Sequence, residues 1–213
     1  VIGDFVRFIR TFRPEVVLTM NVQGRGGDRA HEATAVLTRE AFRAAADPAQ
    51  FPEQIGEGLR PWQSKKLYFT AGFGGGGAAG PGAPPAGGGR GAGAQPPTPP
   101  APPPGVKVAT INTAIYDPLL GRTYGEIGAD ARSNHKCQGM GQLPALPGAS
   151  GGRGGFGGRY QLVDTTIPGQ MDKDETSLFD GVDTSLAGLA QFAGPNPPEA
   201  LKTGLVVIVQ QAQ

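Results

Sequence analysis

Two polar side chains near residue 30 have the types and the spacing that a hydrolytic site uses. Residues 24–32 read Gly-Arg-Gly-Gly-Asp-Arg-Ala-His-Glu, so that Asp28 and His31 stand three positions apart. On the first turn of a helix, this spacing places both side chains on one face. A carboxyl group can move a proton, and a neutral imidazole binds zinc and similar metals. The pair therefore indicates one shared site, although Asp28 also suits a plain helix N-cap and His31 an ordinary first-turn residue.

The chain supplies few further ligands for a metal. A hydrolytic zinc ion needs about three protein ligands and an open position for water. Besides His31, the sequence has one histidine, His135, and one cysteine, Cys137, which do not form a recognisable ligand set. A single cysteine excludes an internal disulfide and a multi-cysteine zinc site. Four later aspartates lack the spacing of a calcium loop and are predicted to lie in turns: Asp172, Asp174, Asp180 and Asp183.

The predicted position of Asp28 and His31 is the passage from a strand to a helix. Residues 16–19 form a short apolar run typical of a buried parallel strand, and helical spacing resumes over residues 30–46. Before the strand, apolar residues at helical spacing predict a helix that Pro14 ends, with Arg10 away from its apolar stripe. In open α/β folds, ligands bind at the carboxyl ends of such strands. The order of these elements predicts an α/β fold.

The remaining elements are predicted from shorter patterns. Strands are expected over residues 65–70, 106–112, 160–164 and 205–209, with the first two of these as neighbours. Residues 51–64 are expected to be a loop, and residues 185–192 a short helix. Thr123 and Glu126 have capping-box spacing, so a helix is expected to begin there and to carry His135 on its inward face.

The composition divides the chain. It contains 36 glycines and 21 prolines in 213 residues, and most of residues 71–105 have no side chain able to pack. Such a segment buries too little apolar surface to offset its ordering entropy, so we expect a disordered insertion. It separates the first part of one domain, residues 1–70, from the remainder, residues 106–213, within which residues 148–158 form a glycine-rich loop.

Charge and hydropathy exclude several classes of partner. The formal net charge of +1 gives no general reason to expect nucleic acid or a membrane surface. The longest aliphatic cluster, residues 205–209, is too short to span a membrane. Residues 151–159 resemble an RGG box, which binds single-stranded nucleic acid, but one short copy in a nearly neutral chain makes this the weaker alternative. Compartment and oligomeric state are left undefined.

Five segments, in order, resemble the PIG-L (LmbE-like) family of zinc-dependent de-N-acetylases: residues 10–19, 26–33, 58–68, 116–121 and 131–139. They extend over most of the part expected to fold. The resemblance implies a Rossmann-like α/β fold with a mostly parallel sheet. It also implies a hydrolase that removes the acetyl group from small N-acetylglucosamine-type sugars or glycoconjugates, with Zn²⁺ as its cofactor.

The resemblance also assigns roles to residues. His31 looks like a zinc ligand of the family. Asp28 falls where the family often has a histidine that stabilises the oxyanion and protonates the leaving amine, and an ionised carboxylate is a poorer oxyanion donor. His135 matches a histidine of the family's Arg-Ser-x-His-Lys-x-Gln-like helix and is expected to orient substrate or line the site, although a packing role fits equally well. Arg132, one turn earlier, suits a contact to substrate or, more simply, a structural ion pair.

One departure from the family is larger. The His-Pro-Asp-Asp motif that supplies two zinc ligands and the general base does not occur in the sequence. Because Val1 already lies in a helical pattern, we expect the chain to be truncated at its N-terminus and inactive alone. The alternative is a non-catalytic, carbohydrate-binding relative, which the aspartate at position 28 slightly favours. The sequence before Val1 distinguishes the two.

Overall fold

The structure is a computed structural model that describes residues 1–21, 29–71, 102–113, 115–134, 158–194 and 196–211. The chain divides into two compact units, Val1–Leu178 and Phe179–Gln213. In chain order the elements are α1 (Ile2–Phe12), β1 (Val16–Thr19), α2 (Arg29–Ala44), α3 (Pro52–Gly56), β2 (Lys66–Thr70), β3 (Val108–Thr110), β4 (Tyr116–Asp117), β5 (Arg122–Thr123), α4 (Tyr124–Ser133), β6 (Arg159–Thr165) and α5 (Glu199–Gln211), with 3₁₀ turns at Gln170–Asp172 and Ala187–Ala193.

The first unit is built on a four-stranded sheet with the order β1-β2-β6-β3. Strand β1 runs parallel to β2, with Val16 opposite Lys66, whereas β6 runs antiparallel to both β2 and β3. The predicted α/β fold is confirmed, and the described sheet is mixed. The predicted pairing of residues 65–70 with residues 106–112 is wrong, because β6 lies between them.

Helix α2 covers one face of this sheet, and α1 packs on α2. Phe42 of α2 is fully buried against Leu67 and Phe69, which point to the same face of β2. A second apolar cluster joins α1 to α2 through Val6 and Ile9 on one side and Ala41 and Ala45 on the other, with Phe51 and Trp62 at its margin. Because side chains alternate along β2, Leu67 and Phe69 share the face that Phe42 covers, and together they form one apolar layer of the core.

The opposite face of β2 is covered by an irregular segment. Tyr68 packs with Ala109 of β3, Leu162 of β6 and Leu178, and all four are buried. Residues 168–178, here called the strap, bring Leu178 to this face and contain only a short 3₁₀ turn. In the first unit, the sheet thus lies between α2 on one face and the strap on the other.

Three sequence expectations need correction. Residues 51–64 are not only a loop, since they include α3. Residues 205–209 lie in α5 and not in a strand: Pro198 and Glu199 start a helix, and these start signals outweigh the strand preference of the β-branched residues that follow. Arg10 is not on a solvent face but is 2% exposed.

The second unit consists of the 3₁₀ turn Ala187–Ala193 and α5, and Leu205 is its buried apolar residue. The helix predicted at residues 185–192 is thereby confirmed. In the described ranges, none of the helices combines the length and apolar character needed to cross a membrane. The predicted insertion at residues 71–105 falls almost entirely outside the described residues, and the loop at residues 148–158 does so except for Gly158.

Candidate functional site

The candidate site lies at one edge of the sheet. Because β1 and β2 are parallel, their carboxyl ends, at Thr19 and Thr70, meet at the same edge. Helix α2 is the next described element after β1 and begins at Arg29. His31 therefore lies in the first turn of α2, with its side chain exposed. Asp28, which precedes the helix, lies outside the described residues, so its role stays a prediction.

The body of α2 is fixed to the sheet. Phe42 supplies the apolar contact, and its carbonyl oxygen accepts a hydrogen bond of 3.2 Å from Nε2 of Gln63. Arg43 reaches β6 through a two-point contact to Asp164, in which Nε donates to Oδ2 at 2.9 Å. This contact raises the pKa of Arg43. The helix that carries His31 is thus attached to two strands.

The far end of α2 is held by Arg10 of α1. All five N–H groups of its guanidinium have an acceptor. Nε donates to the carbonyl oxygen of Ala45, and Nη1 donates to the carbonyl oxygen of Phe51 and to Oε1 of Gln54. Nη2 donates to the carbonyl oxygens of Asp47 and Gln50. These acceptors include groups that the end of a helix leaves without a partner inside the helix. Burial lowers the pKa of Arg10, and the charges of Glu53 and Asp47 only partly oppose this.

Helix α4 leads to the second histidine of the sequence. Its predicted capping box is present: the backbone N–H of Thr123 donates to Oε2 of Glu126 at 2.7 Å, and the N–H of Glu126 donates to Oγ1 of Thr123 at 3.2 Å. The backbone N–H and the hydroxyl of Thr123 both donate to the Glu126 carboxylate, and these two hydrogen bonds lower the pKa of Glu126. The helix ends at Ser133, and His135 lies outside the described residues. A common site for Asp28, His31 and His135 therefore stays a prediction, and so does a role for the Arg132 side chain.

The described residues alone do not fit a zinc site. His31 is the one histidine among them, and within the described ranges no three His, Cys, Asp or Glu side chains gather closely enough to hold a metal ion. Since a hydrolytic zinc ion takes about three protein ligands, His31 would need ligands from elsewhere in the protein.

Three curated relatives share a segment with this chain. Over 71 residues it is 38% identical to the mycothiol S-conjugate amidase of Streptomyces coelicolor, a match covering 33% of this chain and 24% of the relative. It is 44% identical over 66 residues, or 31% of its length, to the 1D-myo-inositol 2-acetamido-2-deoxy-alpha-D-glucopyranoside deacetylase 1 of Frankia alni. It is 39% identical over 69 residues to deacetylase 2 of Frankia casuarinae, and the chain spans 22% and 21% of these two relatives. No family model matches the chain.

The names of all three relatives describe hydrolysis of an amide bond. A mycothiol conjugate amidase and a deacetylase of a 2-acetamido sugar each cleave a C–N bond next to a carbonyl. The likeness covers about a third of this chain.

Sequence reasoning did not anticipate a buried polar cluster at the other end of β2. Lys66 pairs with Glu175, and both side chains are 0% exposed. Lys66 stands opposite Val16, at the start of the parallel pair, so this cluster is remote from the edge with the carboxyl ends. A lysine at the start of an apolar strand was the available signal, because a buried ammonium needs a partner.

Proposed function

We propose that this chain is part of a de-N-acetylase of the PIG-L type, which hydrolyses the acetamido group of an N-acetylglucosamine-type small molecule. The likeness to sugar deacetylases and to a mycothiol conjugate amidase carries the proposal. The passage from β1 to α2 supports it, because a helix that starts beside the carboxyl ends of two parallel strands is where such folds bind ligands.

The proposed reaction cleaves the amide C–N bond of the sugar. Water adds to the acetyl carbonyl, the C–N bond breaks, the amine nitrogen takes a proton, and acetate and the free amine are released. We assign delivery of that proton to Asp28, and contact with the substrate to His135. For this role the Asp28 carboxyl must hold a proton, which requires surroundings that raise its pKa.

We further propose that His31 is a ligand of Zn²⁺ and that the other ligands lie outside the described residues. His31 lies exposed on the first turn of α2. The helix behind it is anchored by Phe42, Arg43 and Arg10, which would keep the position of His31 fixed. A fixed position matters because zinc ligands must hold their geometry closely.

A second candidate function is carbohydrate binding without catalysis. One feature of the sequence favours it, namely the aspartate at position 28. Such a protein would bind the N-acetylated sugar and leave it intact.

The test uses the natural protein that contains this chain, at its full length. We would measure zinc per chain and acetate release from 1D-myo-inositol 2-acetamido-2-deoxy-alpha-D-glucopyranoside, for the wild type, His31→Ala and Arg39→Ala. Arg39 lies on the same helix and is also exposed, so it serves as the matched control. We expect His31→Ala to lose bound zinc and at least about 100-fold in acetate release, and Arg39→Ala to keep both.

Each other outcome has a distinct meaning. Unchanged zinc content and acetate release in His31→Ala would contradict the role of His31. If the wild type binds the sugar but releases no acetate, the protein is a carbohydrate-binding protein and not a deacetylase. Circular dichroism of the three proteins verifies that a loss of activity is not a loss of fold.

A further inference from the structure

The strap, residues 168–178, has few buried anchors. Its exposed residues include Met171, which is 45% exposed, and its buried side chains are Gln170, Glu175 and Leu178. Two of these three anchors are polar. The strap nevertheless covers the face of β2 that carries Tyr68, together with Leu162 of β6.

Glu175 joins these polar anchors. Its Oε2 accepts a hydrogen bond of 2.6 Å from Nζ of Lys66 and another from the hydroxyl of Tyr68, and its Oε1 accepts one of 2.8 Å from Nε2 of Gln170. The Lys66 ammonium also lies 5.4 Å from the centre of the Tyr68 ring. One carboxylate therefore connects Lys66 and Tyr68 of β2 with the strap.

The stabilising effect of a buried ion pair depends on both of its partners. The pair is tolerated inside the protein only while both charges are present, and removal of one partner leaves a buried, uncompensated charge. An apolar anchor of the same size has no such condition. The neighbouring pair of Lys107 and Asp174 differs, since Asp174 is 94% exposed and solvent screens the 2.8 Å contact.

We propose that the strap is a cover that opens as a unit, without unfolding of the sheet, and that the Glu175 carboxylate is the latch that keeps it closed over Tyr68 and Leu162. When the latch is released, β2 and β6 keep their ladder of backbone hydrogen bonds, because the strap contributes no strand to the sheet. In the open state, Lys66 and Tyr68 are exposed to solvent, together with Ala109 and Leu162, which pack against Leu178 in the closed state.

The test measures the rate at which a buried thiol is alkylated. Cys137 is first replaced by serine, and a reporter cysteine is then placed either at Leu178, the buried apolar anchor of the strap, or at Ala45, in the cluster between α1 and α2. We expect Glu175→Gln to speed alkylation at position 178 at least about tenfold and to leave position 45 unchanged. Asp174→Asn, which alters the exposed pair on the same strap, is the matched control and should change the rate less than about twofold.

Two results would overturn the proposal. One is an unchanged rate at position 178 in Glu175→Gln, and the other is equal acceleration at positions 178 and 45, which would mean global unfolding. If Glu175→Gln does not fold, the Cys137→Ser background decides: position 178 must react faster than position 45, and equal rates would refute separate opening of the strap. In the double variant Lys66→Met, Glu175→Leu, slow alkylation at position 178 should return, because an apolar contact replaces the latch.

Discussion

Nη2 of Arg10 donates a hydrogen bond of 2.8 Å to the backbone carbonyl oxygen of Asp47, and thereby joins α1 to the turn that follows α2. The other four N–H groups of the same guanidinium serve acceptors between Ala45 and Gln54. One side chain thus fixes a turn, the end of α2 and the start of α3. The position of α2, and with it that of His31, depends on this contact set.

We expect Arg10→Met to lower the free energy of unfolding by about 3 kcal/mol, because it removes the five hydrogen bonds that a buried guanidinium donates. Urea denaturation followed by circular dichroism measures this loss. Arg7→Met on the same helix is the control, since Arg7 forms an exposed pair with Glu57 and its loss should hardly shift the midpoint. Equal shifts in the two variants would show that the Arg10 network adds nothing to stability.

Glu15 should give the protein a dependence of stability on pH. Both carboxylate oxygens of Glu15 are buried and have no hydrogen-bond partner among the residues that the structure describes. Burial raises the pKa of Glu15, and the charge of Lys65 only partly opposes this. A carboxyl group whose pKa is higher in the folded state is protonated more readily there, so its contribution to stability falls as the pH rises from the unfolded pKa through the folded one.

Glu15→Gln removes this contribution. We expect its melting temperature, relative to that of the wild type, to increase as the pH is raised from about 4 to 7. Glu57→Gln provides a control of opposite sign, because the hydrogen bond from Arg7 lowers the pKa of Glu57. Its melting temperature relative to the wild type should fall only slightly as the pH rises, because the exposed pair contributes little. Parallel curves for the wild type and Glu15→Gln would contradict the assignment.

The capping box of α4 should have a measurable energy. We expect Thr123→Ala to destabilise the helix by about 1 kcal/mol, since the N–H of Glu126 loses its acceptor. Amide hydrogen exchange within α4 measures this. Thr11→Ala is a suitable control, because Thr11 is an exposed threonine whose hydroxyl donates to a backbone carbonyl within α1. Unchanged exchange in α4 would indicate that the box is not formed in solution.

The contact of α2 with the sheet is tested through Phe42. Phe42→Ala leaves a cavity between the helix and β2 and should cost about 3 to 5 kcal/mol. Val36→Ala on the same helix, where Val36 is 43% exposed, should stay within about 0.5 kcal/mol of the wild type. Similar losses in both variants would contradict the placement of Phe42 in the core.

The elements around His31 could be predicted from the sequence because their signals are local. The apolar spacing of α1, the short run of β1 and the resumed helical spacing of α2 each lie within a few turns of chain. The capping box of α4 is likewise read from four consecutive residues. Local periodicity thus gives the strand-to-helix passage, while the roles of Asp28, His31 and His135 rest on the family resemblance.

Contacts between segments that are far apart in the chain could not be predicted from the sequence. The insertion of β6 between β2 and β3 depends on pairings between segments about 95 residues apart for β2 and about 50 for β3, to which no local pattern points. Lys66 and Glu175 are separated by 109 positions. Within residues 205–209, the β-branched side chains favour a strand locally, and the helix start at Glu199 decides the outcome.

The place of β6 in the sheet has a consequence for synthesis of the chain. Strand β6 is the last strand of the described residues but lies between two earlier ones, so β2 lacks its partner on that side until residues 159–165 have left the ribosome. During this interval, Leu67, Tyr68 and Phe69 lie on an open strand edge, which is the kind of surface that draws nascent chains into aggregates. A chain that ends before Arg159 should therefore be insoluble, and co-expression of a chaperone should improve its recovery.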